Sequence, residues 1–160
     1  MTKKPDESKR ALVNNLCPNL KYNYFEIESL ILVLDQDGSF HPPAGELSIA
    51  FVSKDEIARL HGAYMDDPTP TDVLTFPGDP ETGQAGEICI CPEVASDYAR
   101  QATLNFSSEL ALYIIHGYLH LCGFDDVEEH ERAAMRKAEQ QALKIAKAKE
   151  TLPNFSLKEK

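Results

Sequence analysis

The sequence predicts a single three-layer α+β domain, in which helices pack on a small sheet of about four strands. The chain has 160 residues, a length that fits one domain. Apolar residues make up 42% and charged residues 26%, close to the averages of globular proteins, so wholesale disorder is excluded. Short β-rich runs occur between segments whose apolar residues recur at helical spacing, and this order is typical of domains that mix helices with a sheet.

The first half of the chain is predicted to contain two strands and two helices. The segment 24–34 carries apolar residues at helical spacing, whereas 46–52 (ELSIAFV) alternates and is rich in β formers. Ser53 followed by Glu56 forms a capping-box pattern, which predicts the start of the second helix. The predicted elements are a strand at 10–16, a helix at 24–34, a strand at 46–52 and a helix that runs to about residue 64.

The second half is predicted to contain two more strands and three helices. Pro77 and Gly78 close the first of these strands, and Pro92 suits the first turn of a helix. The apolar helix that follows is expected to be capped by Ser107 or Ser108 and to stop before Gly123. The predicted elements are strands at 73–76 and 87–91, a loop at 79–85, and helices at 92–102, 109–122 and 127–149.

The ends of the chain are predicted to be flexible tails around one domain. We expect an N-terminal tail at 1–9, a metal-binding domain at 10–150 and a C-terminal tail at 151–160. The N-terminus has no apolar core of a signal peptide, and no run approaches the ~20 apolar residues of a membrane helix. The four cysteines form no CxxC pair. These features predict a cytoplasmic protein that does not act at a membrane.

The charge of the chain is strongly acidic in its central part. The formal net charge is −10, and residues 11–135 hold 21 acids against 5 bases. A body of this charge repels the phosphates of nucleic acids, so bulk electrostatic attraction to RNA or DNA is excluded. Any role on RNA therefore has to depend on a local site, the basic tails or a partner.

Two histidines on one predicted helix give the sharpest chemical signal. His116 and His120 are four residues apart, so both imidazoles project from one helix face about 5–6 Å apart and can reach one metal ion. Gly123 then turns the chain back, which allows Asp126 to complete a set of three ligands. Three protein ligands with an open fourth position are typical of catalytic zinc. His130 is an alternative third ligand, and a site with no third protein ligand also stays open.

The residue beside the first histidine excludes one class of enzyme. Metalloproteases with an HExxH motif carry a glutamate there as general base, and this chain has Gly117. A glycine inside a helix costs about 1 kcal/mol relative to alanine. Its presence therefore indicates either close packing of the helix or room for a substrate.

The segment from His116 to Asp126 (HGYLHLCGFDD) resembles the HGxLHLxGxDH signature of the YbeY family of bacterial endoribonucleases. The segment 70–77 (PTDVLTFP) is similar to the PTDVLSFP of that family, 86–90 (GEICI) to its GDIxI strand, and 47–60 to the preceding strand and helix. The resemblance covers about residues 46–135. It implies a mixed four-stranded sheet, and a zinc site, or a site for another divalent metal, at the end of a groove. It also implies metal-dependent cleavage of single-stranded RNA in the maturation of ribosomal RNA.

Two residues depart from the pattern of that family. Asp126 replaces its third histidine, which keeps a possible zinc ligand but lowers the charge of the site by one unit. Met65 replaces an arginine that could bind phosphate, and Asp66 and Asp67 follow it. We therefore expect slow cleavage of RNA, unless Arg59 or a lysine of the tails supplies the missing cation.

Several alternatives stay open at this point. The general base is not determined, and Asp72 and Asp125 are the candidates for a catalytic carboxylate. The leading hypothesis is a metal-dependent endoribonuclease that acts on single-stranded ribosomal RNA. A second hypothesis is a metal-stabilised ribosome-maturation factor with weak or no nuclease activity, which binds a ribosomal protein or a ribosome-associated GTPase. A third is a hydrolase of another substrate that uses the same metal ligands.

Overall fold

The computed structural model describes residues 9–66 and 71–158, and within them it confirms the predicted α+β class. Five helices and a four-stranded mixed sheet are present in these ranges. The strands are β1 (Ala11–Asn15), β2 (Leu20–Lys21), β3 (Glu46–Phe51), β4 (Val73–Pro77), β5 (Gln84–Ile90) and β6 (Ser156–Leu157). The helices are α1 (Tyr24–Asp37), α2 (Lys54–Met65), α3 (Pro92–Ala102), α4 (Phe106–Leu121) and α5 (Glu129–Ala148).

The main sheet has the strand order β1-β3-β5-β4. The first three strands run parallel, with Val13 opposite Ile49 and Ile49 opposite Ile88. Strand β4 runs antiparallel to β5 and places Thr75 opposite Ile88 at the edge of the sheet. Parallel strands need helices on their faces to bury both sides, and the helices of this chain supply that cover.

Alternate residues of the strands face two separate apolar cores. Ile49 and Ile88 belong to the larger core, which α1, α4 and α5 cover. Ala50 and Cys89 belong to the smaller core on the opposite face, which Ile57 of α2 closes. The three layers follow from the period of two along each strand. Among the described residues, no helix is both long and apolar enough to cross a membrane.

The capping and turn residues of the sequence predict most ends of helices and strands to within a few residues of their positions in the structure. Ser53 Oγ accepts a hydrogen bond from the amide of Glu56, as its capping pattern predicts. Helix α4, however, begins at Phe106, because Asn105 is its cap and accepts from the amide of Ser108 at 2.9 Å. The prediction of Ser107 or Ser108 as the cap is therefore wrong. Strand β5 also begins earlier than expected, at the end of the predicted loop 79–85.

The C-terminal segment is packed against the domain, so the prediction of a flexible tail that begins at residue 151 is wrong. Phe155 is 7% exposed, and its ring lies 5.9 Å from the ring of Phe51 in the larger core. Strand β6 then pairs with β2. Burial of an aromatic ring gives this segment a stabilising contact that its composition does not reveal. The predicted N-terminal tail, apart from Lys9, and residues 159–160 lie outside the described residues.

Candidate metal centre

Helix α4 lies very close to the sheet, and this position fixes the two histidines. A Cβ atom added to Gly117 would lie 2.5 Å from Cγ2 of Ile88, which is fully buried in β5. Only glycine allows this approach of helix to strand. The structure therefore supports close packing as the reason for the glycine beside the first histidine.

The imidazoles of His116 and His120 meet on one face of α4, as their spacing predicts. Their Nε2 atoms are 3.1 Å apart, and the ring planes are nearly perpendicular. Both side chains are partly shielded, with exposures of 24% and 19%. Two ring nitrogens at this distance, both facing the same point, are arranged to share one cation.

The turn after α4 brings Asp126 to the same point. Gly123 adopts a left-handed conformation, with φ of 105°. The amide of Phe124 donates to the carbonyl of Leu119 across this turn, which is the hydrogen bond of a Schellman motif. The ring of Phe124 also packs edge-on against Phe40, which holds the turn against the core.

The three candidate ligand atoms form an almost equilateral triangle. Asp126 Oδ2 lies 3.3 Å from Nε2 of His116 and 3.4 Å from Nε2 of His120, and the third side is 3.1 Å. Ligands of a tetrahedral zinc ion, at bonds of about 2.0–2.1 Å, are about 3.3 Å apart. Among the described residues, this is the one group of His, Cys, Asp and Glu side chains with the spacing of a metal site. The residues present therefore fit a small divalent cation with one side left open.

Glu139 of α5 orients the first histidine, and the sequence analysis missed it. Its Oε1 lies 3.1 Å from Nδ1 of His116. A carboxylate only accepts, so Nδ1 carries the proton and Nε2 presents its lone pair to the triangle. Burial lowers the pKa of His116, but the hydrogen bond to Glu139 and the charges of Glu139, Asp126 and Asp72 outweigh burial and raise the pKa overall.

One sequence signal could have identified Glu139. Met135, Ala138 and Ala142 are buried positions of α5, and Glu139 lies beside them on the side of the helix that faces α4. Its side chain is only 15% exposed. A carboxylate so close to an apolar stripe needs a partner, and that requirement is the signal.

The other predicted site residues separate into two groups. His130 and Asp125 are exposed and lie outside the ligand group. Asp72 lines a groove together with His116. Its Oδ1 also accepts from the amide of Val73 at 2.9 Å, so Asp72 caps the entry to β4 while it faces the groove.

The groove runs along α4 beside the candidate metal ligands and has a volume of about 280 Å³. We call it the acidic groove. Glu109, Tyr113 and His116 line it from successive turns of α4, and burial together with the charges of Glu139 and Asp72 raises the pKa of Glu109. Its lining residues are Asp72, Tyr98, Glu109, Leu112, Tyr113, His116 and Glu139.

Met65 is 64% exposed at the last turn of α2, and Asp66 follows it as the helix cap. The neighbouring Tyr64 packs on Phe76, which belongs to the smaller core on the sheet face opposite α4. Arg59 forms an ion pair with Glu56 at 2.6 Å, so its guanidinium already has a partner. Asp67 and Pro70 lie outside the described residues.

Comparisons with known proteins agree with the resemblance seen in the sequence. The family model described as "Endoribonuclease YbeY" matches residues 20–147. A protein of Protochlamydia amoebophila with that name is 35% identical over 125 residues, which cover 76% of this chain and 82% of the relative. One of Nocardia farcinica is 44% identical over 105 residues, which cover 58% of this chain and 57% of the relative.

A solved structure shares the fold. The solution structure of TM1509 from Thermotoga maritima matches with a TM-score of 0.58 and 26% identity, over 86% of this chain and 91% of that chain. The matched residues 20–147 include the whole histidine cluster, which we define as His116, His120 and Asp126. The chain therefore belongs to the YbeY family of endoribonucleases.

Proposed function

We propose that this protein is a metal-dependent endoribonuclease that cleaves single-stranded RNA in the maturation of ribosomal RNA. The observation that carries the metal dependence is the triangle of 3.1–3.4 Å among the ring nitrogens and the carboxylate of the histidine cluster. Zinc is the metal that suits two imidazoles and one carboxylate best, and it leaves a fourth position for chemistry.

The residues around the cluster have separate tasks in this proposal. A bound zinc ion would supply Lewis acidity for hydrolysis of a phosphodiester. Glu139 holds the proton on Nδ1 of His116 and so fixes the direction of its other nitrogen. Both catalytic candidates are exposed, but Asp72 is the better placed because it lines the acidic groove beside His116, and Asp125 is not among the residues that line it. We assign to Asp72 the acceptance of a proton during cleavage.

The test of this proposal is a cleavage assay on a single-stranded RNA and on its duplex. We expect cleavage of the single strand that stops with a chelator, returns with zinc and is lost in His116→Ala. The control is His130→Ala, whose imidazole is exposed and outside the cluster. Cleavage that survives both the chelator and His116→Ala would overturn metal dependence.

Met65 makes the rival function testable. Methionine cannot pair with a phosphate, so a ribosome-maturation factor with weak nuclease activity, bound to a ribosomal protein or a GTPase, is the second candidate. We expect Met65→Arg to raise single-turnover cleavage by about 10- to 100-fold, since a comparable charge-stabilising donor is worth about 10²–10³ in other enzymes. Its exposure predicts little change in stability. Equal and fast rates in both forms would show that the missing arginine has no effect.

A further inference from the structure

The acidic groove contains a hydroxyl group that the described residues leave without a hydrogen-bond partner. Tyr113 is only 8% exposed, yet within the described part of the chain no group hydrogen-bonds to its hydroxyl. The ring is buried but the hydroxyl is accessible from the groove, because every fully buried side-chain oxygen in the described residues has a hydrogen-bond partner. The phenol lines the groove, and the charges of Asp72 and Glu109 act on it. Its position therefore suits a ligand that enters the groove.

Glu109 offers two acceptors in the same groove. It lies one helical turn before Tyr113 on α4, is half-buried, and forms no hydrogen bond or ion pair in the described residues. The pair therefore presents one hydroxyl donor and one carboxylate with two adjacent acceptor oxygens. Tyr98 adds an aromatic ring that is 50% exposed at the same groove.

The charge of the groove decides which part of an RNA can enter it. Asp72, Glu109 and Glu139 repel a phosphate, but they accept hydrogen bonds from the N–H groups of a base. The volume of about 280 Å³ is at the lower limit of small-molecule pockets, a size that suits one base. Exposed aromatic rings stack on unpaired bases of single-stranded RNA.

The four bases differ in the edge that they present. Guanine has two neighbouring donors, N1–H and the N2 amino group, followed by the O6 acceptor. Adenine, cytosine and uracil each present a single donor position on that edge. Guanine is the one base that uses both acceptors of Glu109 and the donor of Tyr113 at the same time, whereas the other three bases use one acceptor and the donor.

We propose that the acidic groove binds a guanine base of the RNA substrate, with Glu109 accepting from N1–H and N2–H and Tyr113 donating to O6. The ring of Tyr98 stacks on the base. Seven residues of α4 separate Glu109 from His116, about 10 Å along the helix, which is within the reach of one nucleotide from base edge to phosphate. The assignment rests on the proposed function and adds a base preference to it.

The test measures binding and cleavage separately. Binding of zinc-loaded protein to short 2′-O-methyl RNAs, all uridine apart from one central base, is followed by fluorescence anisotropy. We expect the guanosine RNA to bind about 10-fold more tightly than the inosine RNA, which lacks only the N2 amino group. Tyr113→Phe and Glu109→Gln should both reduce this ratio, whereas Glu81→Gln, at an exposed glutamate outside the groove, should leave it unchanged.

The outcomes separate this proposal from the proposed function. Equal affinity for the guanosine, inosine and uridine RNAs overturns the guanine assignment, even where cleavage of single-stranded RNA is observed. A guanosine preference that persists in Tyr113→Phe and Glu109→Gln overturns the assignment of these residues. Zinc binding in both variants must match that of the wild type, which shows that their folds are intact. If the protein cleaves no RNA, the proposed function is overturned. The anisotropy measurement of RNA binding still decides the base preference.

Discussion

Two polar clusters include residues of the helices α1 and α4, which cover the larger core, and they differ in whether each hydrogen-bond acceptor has a donor from the protein. In the first, which we call the Glu28 cluster (Arg10, Ala11, Glu28, Asp35 and Tyr118), each carboxylate has donors. Glu28 accepts from the amides of Arg10 and Ala11, both at 2.7 Å, and Asp35 accepts from Tyr118 Oη at 2.8 Å. In the histidine cluster, three acceptor-bearing groups face one another instead.

The difference separates a structural polar cluster from a functional one. Glu28 is 8% exposed, and both of its carboxylate oxygens accept hydrogen bonds from backbone amides. It therefore links α1 to the start of β1 and needs no ligand. The histidine cluster is more exposed, and its one carboxylate and two Nε2 atoms converge with at most a single ring proton, on Nε2 of His120, to share among them. Converging acceptors are stable only when a cation or proton lies among them. Four sets of substitutions, at His116, Glu28, Glu139 and Gly117 with their controls, test this comparison.

The largest effect is expected for His116→Ala. Binding of structural zinc is worth about 10–16 kcal/mol over four ligands, so loss of one ligand should weaken zinc affinity by about 10²–10³-fold. The measurement is competition with a chromophoric chelator. Asp126→His should bind zinc at least as well as the wild type, because imidazole is also a good zinc ligand. His130→Ala is the control, and a loss there as large as in His116→Ala would refute the ligand assignment.

Glu28→Ala is expected to act on stability alone. It leaves the buried amide of Ala11 and the partly buried amide of Arg10 without an acceptor, which should lower the free energy of unfolding by about 2–4 kcal/mol. Urea unfolding of the metal-free protein measures the loss, and zinc affinity of the folded fraction should not change. A parallel loss of zinc affinity would show that the two clusters are coupled rather than independent.

Glu139→Ala should affect metal binding more than folding. Partners that orient a metal-binding histidine typically contribute 10–100-fold to affinity, and we expect a loss in that range for zinc. Glu139→Gln keeps an acceptor for Nδ1–H and should restore part of the affinity. If both variants bind zinc like the wild type, Glu139 does not position His116.

Gly117→Ala is expected to have the smallest effect. Alanine gains about 1 kcal/mol of helix propensity, but its methyl group meets Ile88, and overpacking of a core costs about 1–3 kcal/mol. We predict a net loss of about 1 kcal/mol in thermal or urea unfolding. Combined with Ile88→Ala, the substitution should cost less than the sum of the single changes, because the clash is relieved. Additive losses would indicate that the helix moves away without strain.

The sequence by itself determined most of the elements and the candidate metal ligands of this protein. The i,i+4 spacing of His116 and His120, the glycine turn and Asp126 lie within eleven residues, so local helix geometry brings their atoms together. The alternation in 46–52 and the cap at Ser53 likewise depend on neighbours along the chain. These features depend only on residues that are neighbours along the chain. The sequence motifs of the YbeY family coincide with them.

Only the tertiary structure decided which distant groups complete these features. Glu139 lies 23 residues from His116, and Tyr113 gains its role from a groove to which α3, α4, α5 and the entry to β4 all contribute. The contact of Phe155 with Phe51 and the hydrogen bond from the amide of Ala11 to Glu28 also join segments that are far apart in sequence. Composition and periodicity report which face of an element is apolar, but the partner across that face is set by how the layers pack together.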